Sequence, residues 1–181
     1  PDAALSMAHS NYSVALIDAG SLQPTIRQKD VRVYALNKSS QNILQQLKVW
    51  QHLDYERLSP YRHMHVWDGV NGAVIDFDSR SIAAASLGYI IEESLLRNAL
   101  LAEIAPHPLI HLFAHTEISA VHSAANHCTL SAQDTQWQGQ LLMVADGARS
   151  STRDKLAVQL TSWSYEQDAL VATVETEKEH D

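Results

Sequence analysis

Four consecutive apolar residues, Val14-Ala15-Leu16-Ile17, running into Asp18-Ala19-Gly20, constrain this chain more than any other stretch. A continuous apolar run, rather than an alternating one, is what a strand buried on both faces of a parallel sheet requires. Before it, Ala3, Ala4, Leu5 and Ala8 suit the back of a helix, which Ser10-Asn11 would stop because asparagine tolerates a left-handed cap. Helix, buried strand and acid is also the order of a dinucleotide-binding βαβ unit, whose acid hydrogen-bonds a ribose hydroxyl. Acids close many strands, so both readings of Asp18 stay open. In such a unit the acid lies about 20 residues beyond the glycine loop, which would put the last glycine just ahead of residue 1. Pro1 in place of Met and only 6 glycines in 181 residues agree with an expectation that the first strand and its phosphate loop have been cut away.

The rest of the chain alternates helix and strand signals. Ser39 and Ser40 are candidate N-caps for a helix with Ile43, Leu44, Leu47 and Trp50 on its apolar face. His63–Trp67 and Ala73–Phe77, joined by the turn-rich 68–72, read as a hairpin. A second helix is expected from about Glu92 to Ile104, with Glu92 and Glu93 in the first turn, where the dipole favours acids, and Pro106 ending it. Residues 109 to 145 predict three or four strands, the last being Leu141–Val144. A short helix near Ser150 and a strand over Ala169–Val174 follow.

Composition narrows the function. The chain carries 13 Lys+Arg against 21 Asp+Glu, a net charge of −8, with no basic cluster, which argues against a nucleic acid partner. With 45% hydrophobic residues it can build a core. One cysteine, Cys128, excludes an internal disulfide and suits a reducing, cytoplasmic setting. There is no apolar run of spanning length and no signal-peptide pattern. His107, His111 and His115 recur every four residues, but Pro106 and Pro108 oppose a helix, and in a strand that spacing is roughly 13 Å. No metal site is expected. No G-x-S-x-G elbow accompanies the Ser, His and Asp present, so a hydrolase triad is unsupported.

The stretch Val144 to Arg153 delivers Asp146-Gly147 from an apolar run to a helix start. It resembles the Asp-Gly motif of the class A flavoprotein aromatic hydroxylases, G-A-D-G-x-x-S-x-x-R, with Val144 standing where many members carry Gly. Asp30–Asn37, Leu47–Trp50, Pro60–Arg62 with Trp67-Asp68, Leu87–Ser94 and Trp163–Thr173 are similar, in the same order, to the ubiquinone-biosynthesis hydroxylases within that class. The resemblance implies an α/β fold: a truncated, Rossmann-like, FAD-binding parallel-sheet domain over residues 1–160, a substrate-domain hairpin inserted near 60–85, and the start of a mixed-sheet substrate domain at 161–181.

The resemblance also implies roles. Asp18 matches the acid on the adenosine ribose of FAD, where the family more often has Glu. Arg32 matches the arginine that reaches the flavin from the loop after the second strand. Glu93 lies where relatives tend to place Arg, Gln or Asn against the ribityl chain. Asp146 and Gly147 match the pair that helps hold FAD and is implicated in NAD(P)H use. Ser150 and Arg153 match the motif's tail, and for them an N-cap and surface-pair role stands beside a cofactor role. The implied activity is hydroxylation of a polyprenylated phenol or quinol ring with FAD, NAD(P)H and O₂. Other ubiquinone-biosynthesis proteins and the face of the inner membrane are the implied partners. The glycine-loop and C-terminal Gly-Asp motifs have no counterpart, so residues 1–181 are expected to be inactive alone and to purify without stoichiometric flavin. The alternatives are another FAD or NAD(P) oxidoreductase, or a non-catalytic assembly subunit of the same fold. If a cofactor is shared, Val14–Ile17 should be an interior parallel strand, Leu141–Val144 should lie in the same sheet, and Asp18 and Asp146 should share a rim.

Overall fold

A computed structural model describes residues 1–25 and 30–177. The chain forms two compact units: one of residues 1–12, 24–107 and 170–181, the other of residues 13–23 and 108–169.

In the first unit, helix α1 (Asp2–His9) ends as its sequence requires, with Asn11 left-handed at φ 65° and the Tyr12 N–H donating back to the Met7 carbonyl. Strand β2 (Val33–Asn37) leads directly into α2 (Lys38–Gln46), and a 3-10 turn over Tyr55–Arg57 precedes β3 (Ser59–Tyr61). The cap of α2 is Asn37, whose side chain accepts from the Ser40 N–H at 2.9 Å, rather than Ser39 or Ser40. Of the expected apolar face, Leu44, Leu47 and Trp50 are buried while Ile43 is 51% exposed.

Strands β4 (His63–Trp67) and β5 (Val74–Asp78) form the expected antiparallel hairpin. Its turn is locally specified, because Asp68 accepts from the Val70 N–H and the Asn71 amide, both at 2.8 Å. Strand β6 (Gly88–Glu92) runs antiparallel between β2 and β3 and delivers α3 (Glu93–Ile104). A Cβ on Gly88 would lie 1.9 Å from the Leu36 carbonyl oxygen, so only glycine permits this sheet. Helix α3 packs on α1 and on the 3-10 turn Trp50–His52, and Leu5, Val49, Ile91 and Ile104 are fully buried in this core.

In the second unit, β1 (Val14–Ile17) pairs in parallel with β7 (Ile110–Phe113), in register Val14 with Ile110. Strands β8 (Ala120–Ser123), β9 (Cys128–Ala132) and β10 (Thr135–Gly139) form an antiparallel meander, and α4 (Ser151–Lys155) packs against β8. Phe113 meets Trp137 edge to face, with ring centroids 5.1 Å apart.

Three expectations are corrected here. Among the described residues β1 bonds to β7 alone, so it is not interior, and it is half-buried with Ala15 exposed. Leu141–Val144 is not a strand: no described strand pairs with it, and Leu141, Met143 and Val144 remain exposed. Ala169–Val174 likewise forms no ladder, and Leu170 is 93% exposed. Apolar content creates strand propensity, but a strand exists only where a neighbour takes its backbone N–H and C=O groups. Because Leu141–Val144 joins no sheet, a common sheet does not bring Asp146 to the rim of Asp18.

Candidate functional site

The first unit brings two sequence-singled residues together. Arg32 lies just before β2 and Glu93 opens α3, and the Arg32 Nη1 donates to Glu93 Oε2 at 3.1 Å. The antiparallel pairing of β2 with β6 makes this meeting, because the register sets Val33 opposite Glu92. The Glu93 N–H donates to the Arg32 carbonyl at 2.9 Å, so backbone and side chain close the same contact. Glu93, through its hydrogen bond and its charge, raises the Arg32 guanidinium above its ordinary range. The pair lines a cavity of about 290 Å³ together with Thr25, Asp30, Ser94 and Arg97. Two guanidiniums, two carboxylates and two hydroxyls give this cavity both donors and acceptors.

Several of these side chains were invisible to sequence reasoning. Asp30 Oδ1 accepts from the Arg32 N–H and Oδ2 from the Ser94 N–H, each at 3.2 Å. Glu92, expected to serve the helix dipole, gives α3 no side-chain cap. It accepts instead from Arg57, at 3.0 and 2.6 Å, and from the Asp30 N–H at 2.6 Å. The Arg57 hydrogen bonds hold the Glu92 carboxyl below its ordinary value, against the opposing effect of burial. Asn98 fastens Thr25 through a reciprocal pair, accepting its N–H at 2.9 Å and donating to its carbonyl at 2.8 Å. The acid pair Glu92-Glu93 and Arg32 were the signals available in the sequence. The partners of the acid pair lie far away in sequence.

The second unit holds the other candidates. Asp18 follows β1 directly and is exposed; its Oδ1 accepts from the Gly20 N–H at 2.7 Å, and its Oδ2 carries no hydrogen bond. Asp146 closes the turn before α4 by accepting from the Thr152 N–H at 3.1 Å. Burial pushes its carboxyl up, but hydrogen bonds from the Ser150 and Thr152 side chains and the Thr152 backbone outweigh this and hold it below the ordinary range. Gly147 is left-handed at φ 84°, and nothing lies within 4 Å of the position a Cβ would take, so its backbone is open to a ligand's close approach. Ser150 caps α4, its hydroxyl accepting from the Arg153 N–H at 3.0 Å. Arg153 Nη1 donates to the Ala148 carbonyl at 3.2 Å, while its Nε is buried without a hydrogen bond. The Arg153 Nε lies 3.6 Å from Asp154 Oδ1 as an ion pair, so the open backbone at Gly147 is the feature of this turn that suits the close approach of a phosphate.

The histidine series does not gather. His111 lies on β7, His115 is left-handed at φ 52°, and the His107 ring packs on His9 at 5.8 Å. Among the described residues, no group of three or more His, Cys, Asp or Glu side chains is arranged to hold a metal ion.

No family model matches the chain. It is 28% identical over 184 aligned positions to 3-demethoxyubiquinol 3-hydroxylase of Escherichia coli strain K12, covering 97% of this chain and 46% of that protein. It is 31% identical to the mitochondrial ubiquinone biosynthesis monooxygenase COQ6 of Drosophila melanogaster, over 80% of this chain and 31% of that protein. The solved structure of the flavin-dependent monooxygenase PieE in complex with FAD and substrate matches the fold at TM-score 0.64 and 15% identity, over 88% of this chain and 30% of that one. The chain thus spans less than half the length of the curated relatives it matches. No helix among the described residues is long and apolar enough to cross a membrane. In sequence along nearly its whole length, and in its mixed α/β fold, the chain is a partial-length match to the ubiquinone hydroxylases of the FAD-dependent monooxygenase family.

Proposed function

We propose that this chain is cofactor-binding structure of a flavin-dependent monooxygenase that hydroxylates the aromatic ring of a polyprenylated phenol or quinol. The observation that carries the reading is the Asp146-Gly147 turn, which keeps a carboxylate charged beside an open, left-handed glycine at the start of α4. Asp18 would accept from the adenosine ribose, the Gly147 backbone would face the pyrophosphate, and Arg32 with Glu93 would border the flavin. FAD, when bound, supplies the redox chemistry, taking electrons from NAD(P)H and passing one oxygen atom of O₂ to the ring while the other leaves as water. The protein's share is to hold, orient and keep water out.

In this reading residues 1–160 belong to the FAD domain, the hairpin near 60–85 belongs to the substrate domain, and 161–181 begins that domain. A polyprenyl tail would bring the protein to the inner membrane surface from the cytoplasmic side, beside other enzymes of the same pathway. Replacing Asp146 by Ala in the flavin-loaded protein tests the reading. Loss of a charge-assisted hydrogen bond costs about 1.5 to 3 kcal/mol, so flavin affinity should fall roughly ten-fold to a hundred-fold. Wild-type flavin content and wild-type NAD(P)H-driven reduction in that variant would make the turn merely structural.

A further inference from the structure

The segment that delivers Arg32 to Glu93 is anchored by charges belonging to neither residue. Arg57 ends a 3-10 turn that is itself capped by Asp54, and its guanidinium grips both oxygens of Glu92 through Nε and Nη2. Such a fork fixes direction as well as distance, which a lysine's single ammonium does not. With Glu92 held in this way, its Oε2 also receives the Asp30 N–H. Asp30 then spends its own two oxygens on the Arg32 N–H and the Ser94 N–H. The second of these bonds satisfies one of the orphan donors in the first turn of α3, and that donor comes from the residue next to Glu93.

We propose that Arg57 is a positioning residue for the Arg32–Glu93 pair, acting through Glu92 and Asp30. It deepens the flavin reading of that pair and rests on it. The physical need for a cation here is plain. Asp30 and Glu92 place two carboxylates close enough that Asp30 opposes the ionisation of Glu92, whereas Arg57 favours it. Arg57 is in turn raised above its ordinary range by Glu92, with smaller contributions from Asp54 and Asp30. Without the guanidinium the two acids repel and the Asp30 N–H loses a fixed acceptor, so the stretch from Asp30 to Arg32 keeps only its direct bonds to Glu93 and the β2–β6 pairing, and its side chains lose their set direction.

The test compares Arg57→Met and Arg57→Lys with the wild-type chain by ¹H–¹⁵N spectra and by FAD titration. In Arg57→Met the Asp30, Arg32 and Ser94 amides and the Arg32 Nε–H resonance should move together, while amides of β9 and β10 stay in place. Arg57→Lys should restore only part of that shift. Where FAD binds, its dissociation constant should rise about ten-fold in Arg57→Met, the effect of one lost charge-assisted bond. Unmoved Arg32 and Ser94 signals in a folded Arg57→Met overturn the proposal. If that variant does not fold, Arg57→Lys carries the test, and wild-type positions of those signals in it overturn the proposal. Moved signals with unchanged FAD affinity would uphold the positioning role and remove the pair from the flavin site, so the two readings fail separately.

Discussion

The β2–β6–β3 sheet with the start of α3, and the turn from Asp146 into α4, carry the candidate residues in opposite ways. In the first, hydrogen bonds join residues 35, 62 and 64 positions apart, and a glycine is required because another strand occupies its Cβ space. In the second, the bonds span three to six positions, and the glycine is surrounded by open space. The first site is held by tertiary structure. The second is a local conformation that residues 146 to 153 make among themselves, which leaves its outer surface available to a ligand.

Three substitutions or titrations sharpen that contrast. The largest effect is expected for Gly88→Ala, whose methyl would collide with the Leu36 carbonyl and with Tyr61 Oη. Backbone must move to admit it, and overpacking of this kind costs about 3 kcal/mol, several degrees of melting temperature for a chain of this size. A melting curve like that of the wild type would mean that the sheet is looser than its geometry. Gly147→Ala should cost less, about 1 kcal/mol, because the penalty is left-handed strain alone. Its signature should be local, with faster amide exchange at Thr152 and Arg153; global destabilisation equal to that of Gly88→Ala would erase the distinction between the two regions.

The smallest effect is expected from acid. Glu92 and Asp146 both have carboxyls held below their ordinary values in the folded chain. Depressed folded values mean stability that is complete above the ordinary carboxylate range and lost as pH falls through the folded values. Unfolding free energy should therefore stay level down to about pH 5 and decline below it, with Glu92→Gln and Asp146→Asn each removing part of that slope. On the hairpin, Asp78 is drawn down to about 2 by Arg80 and serves as an internal reference in a ¹³C carboxyl titration. A midpoint for Glu92 at or above its ordinary value would show that Arg57 does not hold it.

Much of the fold was legible because its signals are local. The β4–β5 hairpin is written in the turn Asp68–Gly72, the end of α1 in Ser10-Asn11, and the start of α4 in Ser150, since each depends on bonds a few residues long. The cap of α2 was misplaced by two residues because Asn37, Ser39 and Ser40 are all competent caps and β2 decides which one stands at its end. The strands at Leu141–Val144 and Ala169–Val174 were misread for a different reason. Pattern reports that a segment could pair, and only a neighbour makes it do so.

By itself, then, the sequence determined the hairpin turn, the helix caps and the short-range geometry of the Asp146-Gly147 turn, because chain neighbours are held near one another by covalent connectivity. Tertiary structure alone decided that Arg32 meets Glu93, that Asp30 caps α3 from outside it, and that Glu92 answers to Arg57 rather than to its own helix. Those contacts depend on which strands pair and in what register, and a register is settled only when whole elements bury their faces together.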